Sequence, residues 1–178
     1  MSEQKRFIVL GGGCFWCLDG AYRMVRGIST VTSGYSGGHI PNPSTDRVYM
    51  GDSGHAEVVQ LEYDPRAITL EDILDVFWAI HDPTTLNRQM HDVGPEYRSI
   101  IFYKDEAEHK IIERSLRQAQ KFWQDPIVTE VMQFKEFYSA EDFQQDFFAN
   151  NPDKAYCQFI INPKLTKLRA KYAKLLKS

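Results

Sequence analysis

Two cysteines, Cys14 and Cys17, follow three consecutive glycines at positions 11–13 and are the clearest candidates in the chain for reactive side chains. The apolar run at 6–10 before them predicts a buried strand, and the apolar residues after them recur at helical spacing. The glycines would therefore form a strand-to-helix turn that ends at Cys14. Free backbone N–H groups and the helix dipole at such a position stabilise a thiolate, the nucleophilic form of cysteine. We expect a reactive thiol at Cys14.

Other interpretations of this pair stay open at this point. A lone cysteine is often a small buried hydrophobic residue, and Cys-x-x-Cys also occurs in thioredoxin-like redox pairs and in zinc half-sites. Zinc would need two further ligands at short spacing. Cys157 and the five scattered histidines supply no second pair of that kind, so we expect no metal site.

Glu57 begins the apolar face of a strand predicted at 55–63, where Val59 and Leu61 follow it at two-residue steps. One interpretation is a solvated strand end. The other is a carboxyl group at the edge of the core. Desolvation would raise the pKa of that group, so that it is protonated near neutral pH and can act as an acid. We do not pair His55 with Cys14.

The loop at 82–98 carries Asp92 and Tyr97 just before a predicted buried strand at 99–103. Loops at strand ends often hold site residues. The pattern alone, however, favours a turn-capping aspartate and a core tyrosine. Cys157 follows a stretch of asparagine and proline at 150–153, which suits a thiol that must move.

Length and composition indicate an ordinary single-domain protein. The 178 residues are enough for one substantial core, and 43% of them are hydrophobic and 25% charged. A net charge of −3 gives no reason to expect binding to nucleic acid or to a membrane surface. The N-terminus lacks the apolar length of a signal peptide, and an odd cysteine count does not fit a secreted disulfide framework. We expect a cytoplasmic protein.

Strands and helices follow one another without strict βαβ repetition, which predicts an α+β fold with a mixed central sheet, flanking helices and long loops. Thr69 and Asp72 form a start signal for a helix. The segment 28–54 is rich in glycine and proline and predicts a long loop with one strand at its start. The other predicted strands lie at 6–10, 55–63, 99–103 and 127–134, and further helices at 105–122, 140–149 and 164–176.

Eight short segments occur in the order in which they occur in the A-type peptide methionine sulfoxide reductases, and the chain resembles that family over about residues 7–160. The segments are GCFW at 13–16, GYSGG at 34–38, PNP at 41–43, GHAE at 54–57, HDPT at 81–84, YRS at 97–99, DPIVT at 125–129 and YC at 156–157. The resemblance implies a two-layer α/β sandwich, a single catalytic domain over 1–178 and a C-terminal helix or tail at 161–178. It also implies reduction of the S epimer of methionine sulfoxide, free or in proteins.

The resemblance implies a role for each residue of the central motif. Cys14 would be the nucleophile that attacks the sulfoxide sulfur, and Phe15 and Trp16 would hold the methyl group of the substrate. Glu57 would hydrogen-bond to the sulfoxide oxygen and protonate it. Loss of the oxygen to Cys14 would leave a sulfenic acid, which a second thiol condenses into a disulfide.

The resemblance also extends to the surroundings of the sulfoxide oxygen, with two departures. Asp92 and Tyr97 match positions that help to bind the sulfoxide or to order a water. Thr45 stands where many members have a tyrosine that contacts the oxygen, so this contact is either missing or made by Tyr49. Met90 and the histidine after it replace the usual Gly-Asn before the aspartate, which leaves the local loop geometry open.

Two thiols could resolve the sulfenic acid. Cys157 matches the resolving position of the family, whereas Cys17 stands where glycine is frequent. Thioredoxin would reduce the resulting disulfide, no metal, flavin or nicotinamide would be needed, and we expect a monomer. A general thiol–disulfide oxidoreductase that uses Cys14 and Cys17 is the alternative, although thioredoxin-type pairs enclose Gly-Pro and would not require Glu57. A methionine-sulfoxide binding module is a third, non-enzymatic possibility.

Overall fold

A six-stranded mixed sheet is the central element of the computed structural model, which describes residues 4–178. The strands are β1 (Arg6–Gly11), β2 (Ile28–Ser36), β3 (Ala56–Tyr63), β4 (Arg88–Gln89), β5 (Asp92–Val93), β6 (Ile100–Tyr103), β7 (Glu130–Gln133) and β8 (Tyr138–Ser139). The helices are α1 (Phe15–Tyr22), α2 (Thr45–Tyr49), α3 (Leu70–Ile80), α4 (Glu106–Gln120), α5 (Phe147–Asn150) and α6 (Asn162–Tyr172). A π-helical segment, Cys157–Ile161, leads directly into α6, and 3₁₀ turns cover Pro95–Tyr97, Asp142–Gln144 and Ala173–Leu175.

The strands are ordered β7-β6-β1-β3-β2-β8, and every neighbouring pair is antiparallel except β6 and β7. Helix α4 joins β6 to β7, which supplies the crossover that two parallel strands require. β4 and β5 form a separate two-stranded ribbon. The mixed sheet with flanking helices confirms the predicted α+β class.

Each face of the sheet buries its own set of side chains. Ile8 and Leu10 of β1 belong to the main core, which they share with the helices. Val9, between them, packs on the opposite face with Ile100 and Phe102. Because β1 lies between β3 and β6 and is covered on both faces, its sequence is apolar without interruption from Phe7 to Leu10.

The helices form a layer over the main core, and the C-terminal segment is part of it. The Thr69 hydroxyl accepts a hydrogen bond from the Asp72 N–H at 3.1 Å, so the predicted start of α3 is confirmed. Leu165 and Leu168 of α6 are each 1% exposed and belong to the main core. Among residues 4–178, no helix combines the length and apolar character needed to cross a membrane.

The segment 28–54 contains more regular structure than the sequence predicts. β2 extends over nine residues, and the five-residue helix α2 follows within the presumed loop. β2 contains three serines and a glycine, which are weak strand signals on their own. Pairing with the apolar strand β3, in the register Thr32 to Gln60 and Gly34 to Val58, determines its conformation.

The helix predicted at 140–149 is wrong. A 3₁₀ turn and the single turn α5 occupy this segment and are separated by Asp146, whose φ of +48° is left-handed. Just before it, the Gln145 side chain accepts from the Ser33 N–H at 2.8 Å and donates to the Ser33 carbonyl at 2.9 Å. These bonds satisfy the backbone polar groups of Ser33 in β2, and the helix is interrupted at this point. The strand predicted at 127–134 is likewise shorter, at 130–133.

Candidate active site

Cys14 caps the N-terminus of α1 with φ −62° and ψ 130°, the extended conformation of an N-cap residue. The turn before it requires glycine at two positions. Gly13 has a φ of +85°, and a Cβ atom there would lie 2.7 Å from the Gln89 side chain. At Gly12, a Cβ atom would lie 2.9 Å from the His81 ring. The predicted order of strand, glycine turn and helix start is therefore confirmed.

A buried chain of hydrogen bonds holds the His81 ring against this turn. Burial lowers the pKa of His81 to about 4, so the ring is neutral and has a single N–H. Nδ1 lies 2.6 Å from the Phe77 carbonyl, which can only accept, so the proton is on Nδ1. Nε2 then accepts from the Ser99 hydroxyl at 2.8 Å, and Thr129 donates to Ser99 at 2.7 Å. The glycine turn thus rests on a fixed support.

Glu57 lies on β3 and is fully buried. Its Oε2 accepts from the Phe15 N–H at 3.3 Å, and its Oε1 accepts from the Tyr49 hydroxyl at 3.3 Å. Burial raises the pKa of Glu57 to about 8; the two hydrogen bonds oppose that rise, and the carboxyl groups of Asp92 and Glu96 add to it. Glu57 is therefore mostly protonated at neutral pH, as the desolvation argument from the sequence predicts.

The thiol of Cys14 is not activated in the way that the sequence predicts. Its side chain is 6% exposed. Burial, followed by the charges of Glu57 and Cys17, raises the pKa of Cys14 well above the ordinary value for cysteine. The Trp16 N–H favours the thiolate but is outweighed. The expectation that the helix terminus keeps Cys14 as a thiolate is therefore wrong: at neutral pH Cys14 is a neutral thiol.

Phe15 and Trp16 extend to different partners from the start of α1. The Phe15 ring is fully buried, with its centroid 5.6 Å from that of Tyr35. The half-buried Trp16 donates from Nε1 to the Gln144 side chain at 2.7 Å. Its ring stacks on Phe147 with centroids 3.6 Å apart and planes at 4°. These contacts fix both rings beside Cys14.

Asp92 and Tyr97, from the loop before β6, lie near the thiol. Asp92 Oδ2 accepts from the Tyr156 hydroxyl at 2.7 Å. The half-buried Tyr97 has its pKa raised by burial and then by the charges of Glu57 and Cys14, which places the phenol near both. The Tyr97 carbonyl also accepts from the Gly13 N–H at 3.2 Å. The structure thus brings both predicted residues to the site.

Thr45 and Tyr49 lie one turn apart on α2 and point to different groups. The Thr45 hydroxyl donates to Glu141 at 3.0 Å and accepts from the Tyr35 hydroxyl at 2.7 Å and from Gln144 at 3.1 Å. These bonds direct the Thr45 hydroxyl away from Glu57. Tyr49, in contrast, donates directly to Glu57.

The three cysteines are all free and buried. Cys17 Sγ lies 3.9 Å from the Tyr156 hydroxyl, and burial raises the pKa of its thiol. Cys157 begins the π-helical segment and is fully buried, which raises the pKa of its thiol as well. Since Tyr156 precedes Cys157 in the chain, its contacts with Asp92 and Cys17 anchor the segment that carries the third thiol.

The arrangement of these groups defines a class of protein. A buried thiol lies beside a carboxyl group that is neutral at physiological pH, with phenols and aromatic rings around them. Such a site can attack an electrophilic sulfur while it protonates the departing or transferred oxygen, which is thiol-dependent oxidoreductase chemistry. Within the described range 4–178, no three His, Cys, Asp or Glu side chains are grouped so as to hold a metal ion.

Comparison with known proteins supports this class. The model of the peptide methionine sulfoxide reductase family matches residues 6–176. The peptide methionine sulfoxide reductase MsrA of Paenarthrobacter aurescens is 53% identical over 93% of this chain and 95% of its own length. That of Saccharolobus solfataricus is 48% identical over 89% of each chain. The chain belongs to the peptide methionine sulfoxide reductase family and is an oxidoreductase.

Solved structures of similar proteins have the same architecture. Mxr1 of Saccharomyces cerevisiae in reduced form superimposes with a TM-score of 0.80 at 35% identity, covering 86% of this chain and 89% of that one. Methionine sulfoxide reductase A of Corynebacterium diphtheriae gives 0.76 at 28% identity, with 85% and 77% covered. Mxr1 in complex with Trx2 gives 0.56 at 28% identity, with 80% and 84% covered. The predicted family and fold are confirmed.

Sequence reasoning missed several residues that complete the site. His81 and Gln144 support the glycine turn and the Trp16 ring, and Tyr156 links Asp92 to Cys17. Their partners are distant in the chain: Tyr156 and Asp92 are 64 residues apart. For Tyr156, the one available signal was its position directly before Cys157.

Proposed function

We propose that this protein reduces the S epimer of methionine sulfoxide, free or in proteins, to methionine, with Cys14 as nucleophile and Glu57 as acid. The observation that carries this proposal is the pairing of a buried thiol with a carboxyl group of pKa about 8. A protonated acid is what a sulfoxide oxygen needs before sulfur can be attacked. A general thiol–disulfide oxidoreductase has no substrate oxygen to protonate and would not require this acid.

The first step moves one oxygen and leaves the protons balanced. Glu57 donates its proton to the sulfoxide oxygen, and Cys14 Sγ attacks the sulfur. The Cys14 thiol, whose pKa is raised, loses its proton as the bond between Cys14 Sγ and the substrate sulfur forms. The Glu57 carboxylate takes that proton. Transfer of the oxygen to Cys14 releases methionine and leaves a sulfenic acid. A second thiol then forms a disulfide with Cys14 and releases water.

The rings and phenols around Cys14 bind the substrate in this proposal. Phe15 and Trp16 hold the methyl group, and Asp92 and Tyr97 orient the sulfoxide. Tyr49 replaces the tyrosine that many family members have at the position of Thr45. Its hydroxyl lies 3.3 Å from Oε1 of Glu57, the acid that protonates the sulfoxide oxygen.

The test separates the epimers. Purified free methionine S-sulfoxide should be consumed with dithiothreitol as reductant, whereas the R epimer should be nearly inert, because the methyl-binding rings lie on one fixed side of Glu57. Loss of sulfoxide is measured by chromatography, with insulin-disulfide reduction assayed in parallel. Comparable turnover of both epimers would remove the A-type assignment, and insulin reduction without sulfoxide reduction would favour the general oxidoreductase.

We propose Cys157 as the first resolving thiol and Cys17 as a thiol that exchanges onto the disulfide afterwards. Cys17 is close, but a bridge between positions three residues apart on the first helical turn needs adjusted geometry. Cys157 is buried and must be brought to Cys14 by movement of its segment. Separation of Tyr156 from Asp92 and Cys17 would release that segment.

Replacement of each resolving candidate by serine distinguishes them. Cys157→Ser should keep one full turnover but lose most thioredoxin-driven cycling, because the sulfenic acid forms without being resolved efficiently. Cys17→Ser is the matched control and should lose little. Cycling is followed by NADPH consumption with thioredoxin and its reductase. Single turnover is measured as the methionine formed in samples quenched with acid. The opposite ranking would make Cys14–Cys17 the catalytic disulfide.

The remaining proposals concern the setting of the enzyme. Thioredoxin serves as the reductant, which the complex of the similar Mxr1 with Trx2 supports. The whole chain, 1–178, acts as one catalytic domain and is a monomer. It binds neither nucleic acid nor a membrane and needs no bound cofactor. We place it in the cytoplasm, where its three free thiols stay reduced between turnovers.

A further inference from the structure

The C-terminal segment 161–178 carries an unusual concentration of positive charge. It contains six lysines and arginines and no acidic residue, whereas all 24 aspartates and glutamates lie in 1–160. Leu165 and Leu168 are buried in the core, so the basic side chains project outward from α6. Nothing in the proposed chemistry of Cys14 and Glu57 uses these charges.

Three of these lysines line one wall of a groove of about 710 Å³ between α3, α4 and α6. They are Lys164, Lys167 and Lys171, which lie on one face of α6 at helical spacing. Trp78 forms part of the floor, and Phe122, which is 86% exposed, lies on the other side. The groove therefore combines exposed aromatic surface with a row of ammonium groups.

The groove continues toward the active site. A smaller cavity of about 190 Å³ is lined by Asp92 and Tyr156, both close to the reacting thiols. The two cavities share Gln89, Met90 and Lys164. The larger groove therefore adjoins the side of the site that holds Asp92 and Tyr156.

The lysines of this wall are available for a ligand. Within residues 4–178, no ion pair joins Lys164, Lys167 or Lys171 to a carboxylate. Asp82, which also lines the groove, already accepts from the N–H and the hydroxyl of Thr84 at 2.9 and 2.6 Å. Asp75 lies in the same lining; its pKa is raised by burial and by neighbouring carboxylates, and the nearby charge of Lys171 opposes that rise. With three lysines against these two aspartates, the net charge of the groove lining is positive.

We propose that this groove binds an acidic segment of the protein substrate close to its methionine sulfoxide, so that oxidised sites flanked by aspartate or glutamate are reduced fastest. This inference rests on the proposed function. Lys164 and Lys171 are seven positions apart, about 10 Å along the helix, which an extended peptide covers in about three residues. Carboxylates pair with the lysines, and apolar side chains of the segment pack on Phe122 and Trp78.

The test compares two peptides that each contain one methionine S-sulfoxide and differ only in their flanking residues. One carries glutamates three to six residues from the sulfoxide on both sides, and the other carries lysines there. At low ionic strength, kcat/KM should be about tenfold higher for the acidic peptide, and the ratio should approach one at about 0.5 M salt because screening removes the attraction. Equal values at low salt would overturn the proposal.

Charge reversal on α6 assigns the effect to the groove. Lys167→Glu should lower kcat/KM for the acidic peptide about fivefold, as expected for exposed pairs, while free methionine S-sulfoxide is reduced at the wild-type rate. Arg169→Glu is the matched control: it makes the same charge change on an exposed residue of α6 that does not line the groove. It should leave the peptide ratio unchanged.

Three results would contradict this inference and not the proposed function: an Arg169→Glu effect equal to that of Lys167→Glu, an equal loss with the free amino acid, or a raised KM for thioredoxin with peptides unaffected. The last would assign the groove to the reductant. Failure of the wild-type protein to reduce free methionine S-sulfoxide would instead contradict the proposed function itself.

Discussion

Cys14→Ser is expected to abolish reduction of methionine S-sulfoxide. A serine hydroxyl does not attack sulfur at a useful rate and cannot take up the oxygen as a sulfenic acid, so no step of the cycle begins. Activity is measured as methionine formed with dithiothreitol as reductant. More than a trace of product would show that Cys17 or Cys157 acts as nucleophile.

The fold should survive this substitution, which makes the loss of activity interpretable. Cys14 is the N-cap of α1, and its side chain makes no capping hydrogen bond. Serine is among the residues preferred at this position, because its oxygen accepts from the free N–H groups of the first turn. The melting temperature of Cys14→Ser, followed by circular dichroism, should therefore equal or exceed that of the wild type. Cys17→Ser, which keeps the nucleophile, is the control for loss of a buried thiol.

The positions of Cys14 and Glu57, the proposed catalytic pair, could be predicted because local patterns determine them. An apolar strand, a glycine turn and helical periodicity place Cys14 at a helix start whatever the rest of the chain does. Alternation along β3 places Glu57 on the same face as Val59 and Leu61, which belong to the main core, and the structure buries it there. Both inferences need only the spacing of neighbouring residues.

The protonation state of Cys14 could not be predicted in the same way. A helix terminus is a local feature, and it favours the thiolate. Burial and the approach of Glu57 are tertiary features, and together they outweigh it. The same distinction explains the length of β2: the strand predicted at the start of 28–54 extends over nine residues because β3 pairs with it. It also explains why the contacts of Tyr156 with Asp92 and Cys17 could not be predicted from its neighbours in the chain.

Glu57→Gln should slow the formation of the sulfenic acid by about 10²–10⁴-fold, the range for loss of one positioned acid. Glutamine can still donate a hydrogen bond to the sulfoxide oxygen but cannot protonate it. The rate is measured in single-turnover experiments, so that resolution and thioredoxin do not contribute. Asp92→Asn is the matched control, because it makes the same chemical change in a nearby carboxyl group and should cost far less.

The pH dependence of the single-turnover rate tests whether Glu57 supplies the proton to the sulfoxide oxygen. In the wild type, Glu57 has a pKa of about 8, so the acid form dominates below that value and disappears above it. The single-turnover rate should therefore be constant at pH 6–7 and fall above pH 8, and this fall should be absent in Glu57→Gln. The substitution also removes a negative charge that raises the pKa of Cys14, so alkylation of Cys14 by iodoacetamide at pH 8–9 should become faster while sulfoxide reduction becomes slower. A variant with a wild-type rate across pH 6–9 would show that Asp92 or water supplies the proton.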